Sequence, residues 1–387
     1  MKIGLLMSVG SPWAQQMALS ISRQGHSVHA IDFRSRPEQG AYLQTSDDPQ
    51  ADAIAQLQEY VAGVHLLDSR FHSQVRYFTC PGQLREICES CGIDFLLSLY
   101  GGGWGALAYL SKVRPFGVYL MGCDILMAST ASRFMPKHAI HAVNRFISKR
   151  SLNAADIVFV NGGYLAEKAR ELVPQVRMLP LVIGVDADRF SPASSSSSTT
   201  RIVCTRVFEP VYNNEYLIHG LAEMPTTSDD VQVTFVSSGD LLDATKTLAD
   251  RALAPDTRRK VEFLGGVTDS EMLSNLQGSQ IYVSLSRSDG TSISLLEALS
   301  CGLFPVLSDI PQNREWIDPA LDNGILVPLD QPKALAAALS RAISDAPLRA
   351  RAAEINRQLI LDRADLQTNM TILASKVEAV IRNQTNK

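Results

Sequence analysis

Short apolar runs alternate with helix-like segments twice along this chain, once before and once after the serine-rich stretch Ser191–Thr200. In the first series Ile3–Val9, Ser27–Phe33, Val64–Leu67, Val75–Phe78, Phe95–Leu99, Val118–Met121 and Ile157–Val160 read as strands. Gly10-Ser11-Pro12 breaks the first of them, and Ala14–Arg23 reads as a helix ended by Gly25. The second series runs through Arg201–Thr205, Val231–Val236, Val261–Phe263, Ile281–Ser286, Phe304–Leu307 and Ile325–Val327, with helices such as Glu215–Ala222 and Pro332–Ile343 between. Alternation of this kind predicts parallel sheets covered by helices on both faces. The five consecutive serines cannot pack a core and read as a link. The expected organisation is therefore α/β with two Rossmann-like, doubly wound domains: 1–190, a linker at 191–200, and 201–364. Two such domains make a cleft, the usual place for a small-molecule site.

Composition excludes several classes. A net charge of −4 and a pI near 6.0 argue against nucleic acid as the main partner. The start, MKIGLLMSVGSPW, is too short in apolar length for a signal h-region, and no run is long enough to span a membrane. The six cysteines are scattered, and the lone CxxC of Cys88 and Cys91 has no second pair or sequence-adjacent histidines. It reads as a helix end stopped by Gly92, in a reduced, cytoplasmic chain.

The stretch SRSDGTSISLLEALSCGLFPVLSD, Ser286–Asp309, holds two carboxylates eight positions apart, Asp289 and Glu297, where a strand hands over to a helix. Ser292 or Thr291 is a plausible cap and Gly302 a stop. In open α/β sheets ligands bind at this edge, and the free N–H groups of a helix start suit a diphosphate. Gly290 would let backbone approach the ligand. Asp289, before the helix, can reach a sugar hydroxyl. Glu297 lies roughly 7 Å along the helix at about 1.5 Å per residue and can accept from a ribose diol. A nucleotide sugar fills all three subsites; the plain alternative is a surface loop with two solvated acids.

These residues resemble the retaining glycosyltransferases of family 4, the group 1 glycosyltransferases of GT-B fold. The family's acid, seven residues and Glu stand here as Asp289 to Glu297, running into LEALSCGLFPVLSD. Gly25-His26-Ser27-Val28, LNAADIVFVNGGYLAEKA, Ile183-Gly184-Val185-Asp186 with Phe190 and Pro192, Thr205-Arg206, and Phe263-Leu264-Gly265 match further family features in order. The chain departs at three places. Asp289 replaces the usual Glu, Val211 stands where a diphosphate-pairing Lys is usual, and Met121-Gly122-Cys123-Asp124 lacks the His of the acceptor motif. Arg287 is a candidate substitute for the Lys.

The resemblance implies a metal-independent, retaining hexosyltransferase with a nucleotide-diphosphate sugar as donor substrate and no required cofactor. Arg206 and the backbone of Thr291, Ser292, Ile293 and Ser294 would hold the diphosphate, Asp289 the donor sugar and Glu297 the ribose. Asp124 would lie near the acceptor hydroxyl, or merely cap a helix. Gly10, Ser11 and Gly265 would approach the donor. Asp186-Ala187-Asp188 matches a DxD metal pattern but sits in the junction motif. The last helix, about 365–387, would cross back to the first domain. Alternatives are a non-catalytic binder of nucleotide sugar or glycan, and a nucleotide-sugar epimerase.

For the acceptor side, Ile125–Ala155 contains no acid and carries Arg133, Lys137, Arg145, Lys149 and Arg150. Met135, Ala139, Ala142, Val143, Phe146 and Ile147 recur at helical spacing, with Lys137, His141, Asn144 and Ser148 opposite. Such a helix suggests an anionic membrane surface, the inner face for a cytoplasmic chain, or a solvated basic face. Family members often act on lipid-linked or polysaccharide acceptors. Tyr100-Gly101-Gly102-Gly103-Trp104-Gly105 could line the acceptor site or form a tight turn with Trp104 in the core.

Overall fold

The computed structural model describes residues 1–34, 49–71, 75–122, 125, 137–193, 199–224 and 231–385, the side chains at 49, 137–145 and 385 excepted. The chain divides into two units: one takes the chain up to Ile183 together with Leu366–Lys387, the other Gly184–Asp365.

The first unit is built on a seven-stranded parallel sheet. Its strands are β1 (Lys2–Leu6), β2 (Ser27–Phe33), β3 (Gly63–Leu67), β4 (Phe95–Leu99), β5 (Phe116–Leu120), β6 (Ile157–Val160) and β7 (Met178–Pro180), in the order β3-β2-β1-β4-β5-β6-β7. Ile3 lies between Val28 and Phe95 in register. The runs FLLSL and FGVYL are apolar at nearly every position because β4 and β5 are buried on both faces. The helix Pro12–Arg23 starts with proline at a position that needs no N–H donor. The helix Pro81–Cys91 ends at Gly92, whose left-handed φ of 64° lets its N–H close back on the last turn.

The stretch expected as a strand at Val75–Phe78 is instead part of a short helix, Arg76–Thr79. Only Tyr77 points inward; Val75 and Phe78 are exposed. Tyr77 packs with Phe33 and Trp104, ring centroids 5.1–5.3 Å apart. The last helix, Leu366–Thr385, belongs to this unit, burying Met370, Leu373 and Val377 at the spacing of one helical face. It packs on Pro12–Arg23, where Ser20 Oγ donates to Gln367 Oε1 at 2.9 Å.

The second unit has six parallel strands: β8 (Thr200–Cys204), β9 (Val231–Phe235), β10 (Val261–Phe263), β11 (Ile281–Ser284), β12 (Phe304–Ser308) and β13 (Ile325–Val327). Their order is β10-β9-β8-β11-β12-β13. Phe208, Leu217, Phe235, Val306, Leu335 and Leu339 belong to one core cluster, in which the helix Pro332–Ser344 packs on the helix Glu215–Ala222. This unit begins before the serine stretch, which was expected to separate the domains. Arg357 Nη1 donates to the Phe190 carbonyl at 2.8 Å, and Gln277 Nε2 to that of Ser191 at 2.9 Å. Residues 184–192 are thus stitched into the second unit, and residues 194–198 of the serine run lie outside the described residues.

Candidate active site

In each sheet the chain winds outward in both directions from a central pair of strands. In the second unit that pair is β8 and β11, so the loops leaving their C-terminal ends flank the switch point where α/β sheets take ligands. One loop carries Arg206; the other carries Ser286 through Ser292 and feeds the helix Ile293–Ser300.

The two loops meet through Arg206. Its Nη1 donates to Ser292 Oγ at 2.6 Å and Ser294 Oγ at 2.8 Å, and its Nη2 to Asp289 Oδ2 at 2.7 Å. Ser292 is also the N-cap of the helix, accepting from the Leu295 N–H at 3.4 Å. Tyr282 hydroxyl donates to Ser294 Oγ at 3.1 Å, and the Tyr212 ring lies 4.1 Å from the guanidinium carbon. The Arg206 side chain is 9% exposed and that of Asp289 17%. Burial opposes the Arg206 charge, but Asp289, Tyr282 and Tyr212 outweigh it and keep the group cationic. Burial pushes the Asp289 carboxyl above its usual range, while Arg206 and the Gly290 N–H pull it back in part. Arg206 Nε is buried with no partner among the described residues. A desolvated guanidinium at a helix N-terminus is a strong place for an anion. Its pairing with Asp289 was invisible in the sequence, where the two lie 83 positions apart.

Glu297 stands one turn into the helix, half-buried. Burial and the charge of Asp269 push its carboxyl up to about 8, against the attraction of Arg189 and Arg206. Gly290 and Ile293 are half-buried beside Asp289, and Thr291 is buried. Gly265 follows β10 at a φ of 74° with no atom within 4 Å of where a Cβ would sit, so this turn is open. Asp289, Glu297, Thr291, Ser292 and Ser294 share one sheet edge, as their spacing predicts, and Arg206 joins them from the neighbouring loop. Arg287, the candidate substitute for the Lys, forks onto Asp330 at 2.8 Å through both terminal nitrogens. Val211 keeps only a backbone role here, its carbonyl accepting from the Arg287 N–H at 2.8 Å.

In the first unit the switch point lies between β1 and β4. Gly10 and Ser11 leave β1 there, Gly10 exposed, and Ser11 makes no side-chain cap to its helix. The glycine-rich loop leaves β4. Tyr100 takes a φ of 81°, rare for a bulky residue, and its ring meets Trp13 edge-on at 6.1 Å. This aromatic pair was missed; no spacing rule announces a strained tyrosine. Trp104, a candidate for lining the acceptor site, is only 6% exposed and sits in the core against Phe33 and Tyr77. It is the second residue of the helix Gly103–Ser111, directly after the glycines, and that helix turns it inward. Asp32, also unforeseen, accepts from the Val9 N–H at 2.8 Å, and burial pushes its carboxyl up to about 6.

Asp124 and Arg133 lie outside the described residues, as do the side chains of Lys137 and Arg145. The helix Lys137–Ala154 exposes Lys149 and leaves Phe146 60% exposed beside Arg150. Phe146 was expected on the apolar face, turned to a membrane surface or to the domain, and Ser148 opposite; the structure exposes Phe146 and buries Ser148. Ser148 and Ser151 are buried because their small side chains let this helix approach the backbone of Gly101 and Gly105, Ser151 Oγ donating to the Gly101 carbonyl at 2.8 Å.

A family model described as glycosyl transferases group 1 matches residues 187–359. The chain is 33% identical over 313 residues to a GDP-mannose:cellobiosyl-diphosphopolyprenol alpha-mannosyltransferase of Xanthomonas campestris, covering 77% of this chain and 75% of that protein. It is 28% identical over 156 residues to a GDP-mannose-dependent monoacylated alpha-(1-6)-phosphatidylinositol monomannoside mannosyltransferase of Corynebacterium glutamicum, 35% of this chain and 40% of that protein. Among solved structures it is similar to a sucrose-phosphate synthase from Thermosynechococcus elongatus, with a TM-score of 0.77, 13% identity and coverage of 99% and 100%. It is also similar to Anabaena HepE in complex with UDP and glucose, with a TM-score of 0.75, 16% identity and coverage of 98% and 100%. The fold is GT-B, and the chain belongs to the group 1 glycosyltransferases.

Proposed function

We propose that this glycosyltransferase moves mannose from GDP-mannose to a lipid-linked acceptor, with retention of anomeric configuration and without a metal ion. The observation that carries the donor subsite is the buried Arg206 fixed to Asp289, Ser292 and Ser294 at a helix N-terminus. The names of both mannosyltransferase relatives support the choice of sugar, nucleotide and acceptor class.

In this scheme Arg206 and the first-turn N–H groups stabilise the leaving diphosphate. Asp289 holds a hydroxyl of the sugar and Glu297 the ribose diol. Gly10, Ser11, Gly265 and Gly290 supply close backbone approach, and Asp124 stands near the acceptor. The acceptor oxygen bonds to the anomeric carbon while the carbon–diphosphate oxygen bond breaks on the same face. The acceptor proton passes to the departing diphosphate oxygen. The protein positions both partners, which is where most of the rate gain of such a step comes from. Exposed Phe146, Lys149 and Arg150, with Arg133, Lys137 and Arg145 of the same stretch, suit an anionic membrane surface on the cytoplasmic side, where a lipid-linked acceptor would be presented.

The test is calorimetric titration with GDP, UDP, ADP and CMP in chelator-treated buffer, followed by transfer from GDP-mannose to a polyprenyl-diphosphate glycan. Saturable binding of GDP alone and an α-linked product are expected. Preference for UDP would overturn the sugar assignment. Binding without transfer to any lipid-linked glycan would favour the non-catalytic reading, which the Val211 departure already motivates.

A further inference from the structure

Three side chains with metal-binding atoms converge on the first sheet, at the end of the strands opposite Gly10 and Tyr100. His29 is near the start of β2 and His65 lies on the edge strand β3, placed diagonally by the pairing of His29 with Gly63 and of Ile31 with His65. Cys91 is the last residue of the helix Pro81–Cys91. His29 Nδ1 is 3.1 Å from His65 Nε2, and Cys91 Sγ is 3.6 Å from that same Nε2. All three atoms lie within 4.8 Å of one another, and all three residues are half-buried.

A hydrogen-bonding account leaves this cluster incomplete. One imidazole nitrogen offers either one N–H or one lone pair, in one direction in the ring plane. His65 Nε2 therefore serves His29 or Cys91, not both. A cation between them serves all three. Zinc–nitrogen and zinc–sulfur bonds of about 2.0 and 2.3 Å at tetrahedral angles put N···N at about 3.3 Å and N···S at about 3.5 Å. The observed edges, 3.1 and 3.6 Å, are close to those values. Gly63 keeps the space clear: a Cβ there would stand 3.0 Å from His65 Nε2 and 3.3 Å from His29 Nδ1. Cys88, the other half of the CxxC, is buried in the core with its thiol pushed up to about 12, so the pair is not a chelating unit.

We propose that His29, His65 and Cys91 form a three-ligand site for a zinc-class cation, with solvent in the fourth position. The nitrogen and sulfur set excludes magnesium and calcium. Bound there, the ion ties the edge strand β3 to β2 and to the helix that precedes β4. It stands apart from the donor chemistry, so the proposal is independent of the sugar or acceptor.

The experiment is a cobalt(II) titration of the full chain after chelator treatment, read by absorbance. One equivalent should bind with a thiolate-to-cobalt charge-transfer band and the intense visible bands of four-coordinate cobalt. Cys91→Ser should abolish the charge-transfer band, and His65→Gln should weaken binding by more than about 100-fold, beyond the range seen for loss of an outer hydrogen-bonding partner. Cys88→Ala should leave the spectrum unchanged. Zinc should raise the Tm of the parent chain and not that of His65→Gln. No saturable binding, weak six-coordinate spectra, or binding that survives both ligand substitutions would overturn the site and leave a hydrogen-bonded histidine pair.

Discussion

The two switch points share one topology and differ in chemistry. At the β8–β11 edge a guanidinium, a carboxylate and two hydroxyls interlock over a helix start. At the β1–β4 edge exposed Gly10, uncapped Ser11 and the Trp13–Tyr100 ring pair face the ligand side of the sheet. The first arrangement suits a charged ligand of fixed shape; the second suits a ligand read by surface and stacking. Parallel α/β topology decides where a site lies, and the loop residues decide what it binds.

Removing Arg206 should break the contrast most severely. Arg206→Ala leaves Asp289 buried without its counter-charge, and loss of one partner of a buried pair costs about 3–5 kcal/mol. Nucleoside diphosphate affinity should fall by roughly 100-fold, about 2.7 kcal/mol, and monophosphate affinity by less. Arg206→Ala with Asp289→Asn should regain much of the Tm but none of the diphosphate affinity. Equal loss for mono- and diphosphate in calorimetry would remove the diphosphate role.

Glu297 tests the same edge by pH. The folded chain holds its proton up to about pH 8, whereas an ordinary Glu releases it near 4.5. The folded state therefore binds more protons in that window, and stability falls as pH rises through it. Glu297→Gln should gain Tm relative to the parent chain from pH 5 to pH 9, and should lose roughly tenfold in nucleotide affinity, about 1.4 kcal/mol. A Tm difference that is flat across pH would contradict the raised carboxyl.

At the other edge, Trp13→Ala should reduce transfer to the acceptor several-fold and leave nucleotide affinity unchanged. Tyr100→Gly relieves the positive φ but removes a ring packed against the core and Trp13, so it should lower stability while altering acceptor KM. Loss of nucleotide affinity in either variant would dissolve the division of labour. The smallest effect belongs to Phe146→Ser with Lys149→Gln. Their exposure predicts a stability change within about 0.5 kcal/mol, with weaker binding to anionic vesicles in a flotation assay.

Much of the architecture was legible because buried parallel strands must be apolar along their whole length, as FLLSL and FGVYL are. Val75–Phe78 misled because a four-residue apolar run fits either a strand or one turn of helix. The acid pair Asp289 and Glu297 stood out because both lie on one local strand–helix unit. The Arg206–Asp289 bond, the pairing of Arg287 with Asp330, and the meeting of His29, His65 and Cys91 did not. Each depends on strand register or a distant loop, which sequence spacing does not encode. Ser148, expected on the solvated face, is buried because close helix packing admits small side chains whatever their polarity.

The closing helix Leu366–Thr385 gives the chain an unusual order of assembly. Everything in Gly184–Asp365 is an insertion within the first unit, and it leaves the ribosome before that unit is whole. At about 5–20 residues per second, the apolar side of Pro12–Arg23 waits roughly twenty to seventy seconds for its cover. The second unit can complete its fold during that interval. The first unit stays a vulnerable nascent chain until the helix Leu366–Thr385 has been made, so the last contact to form in it is one between segments more than three hundred residues apart.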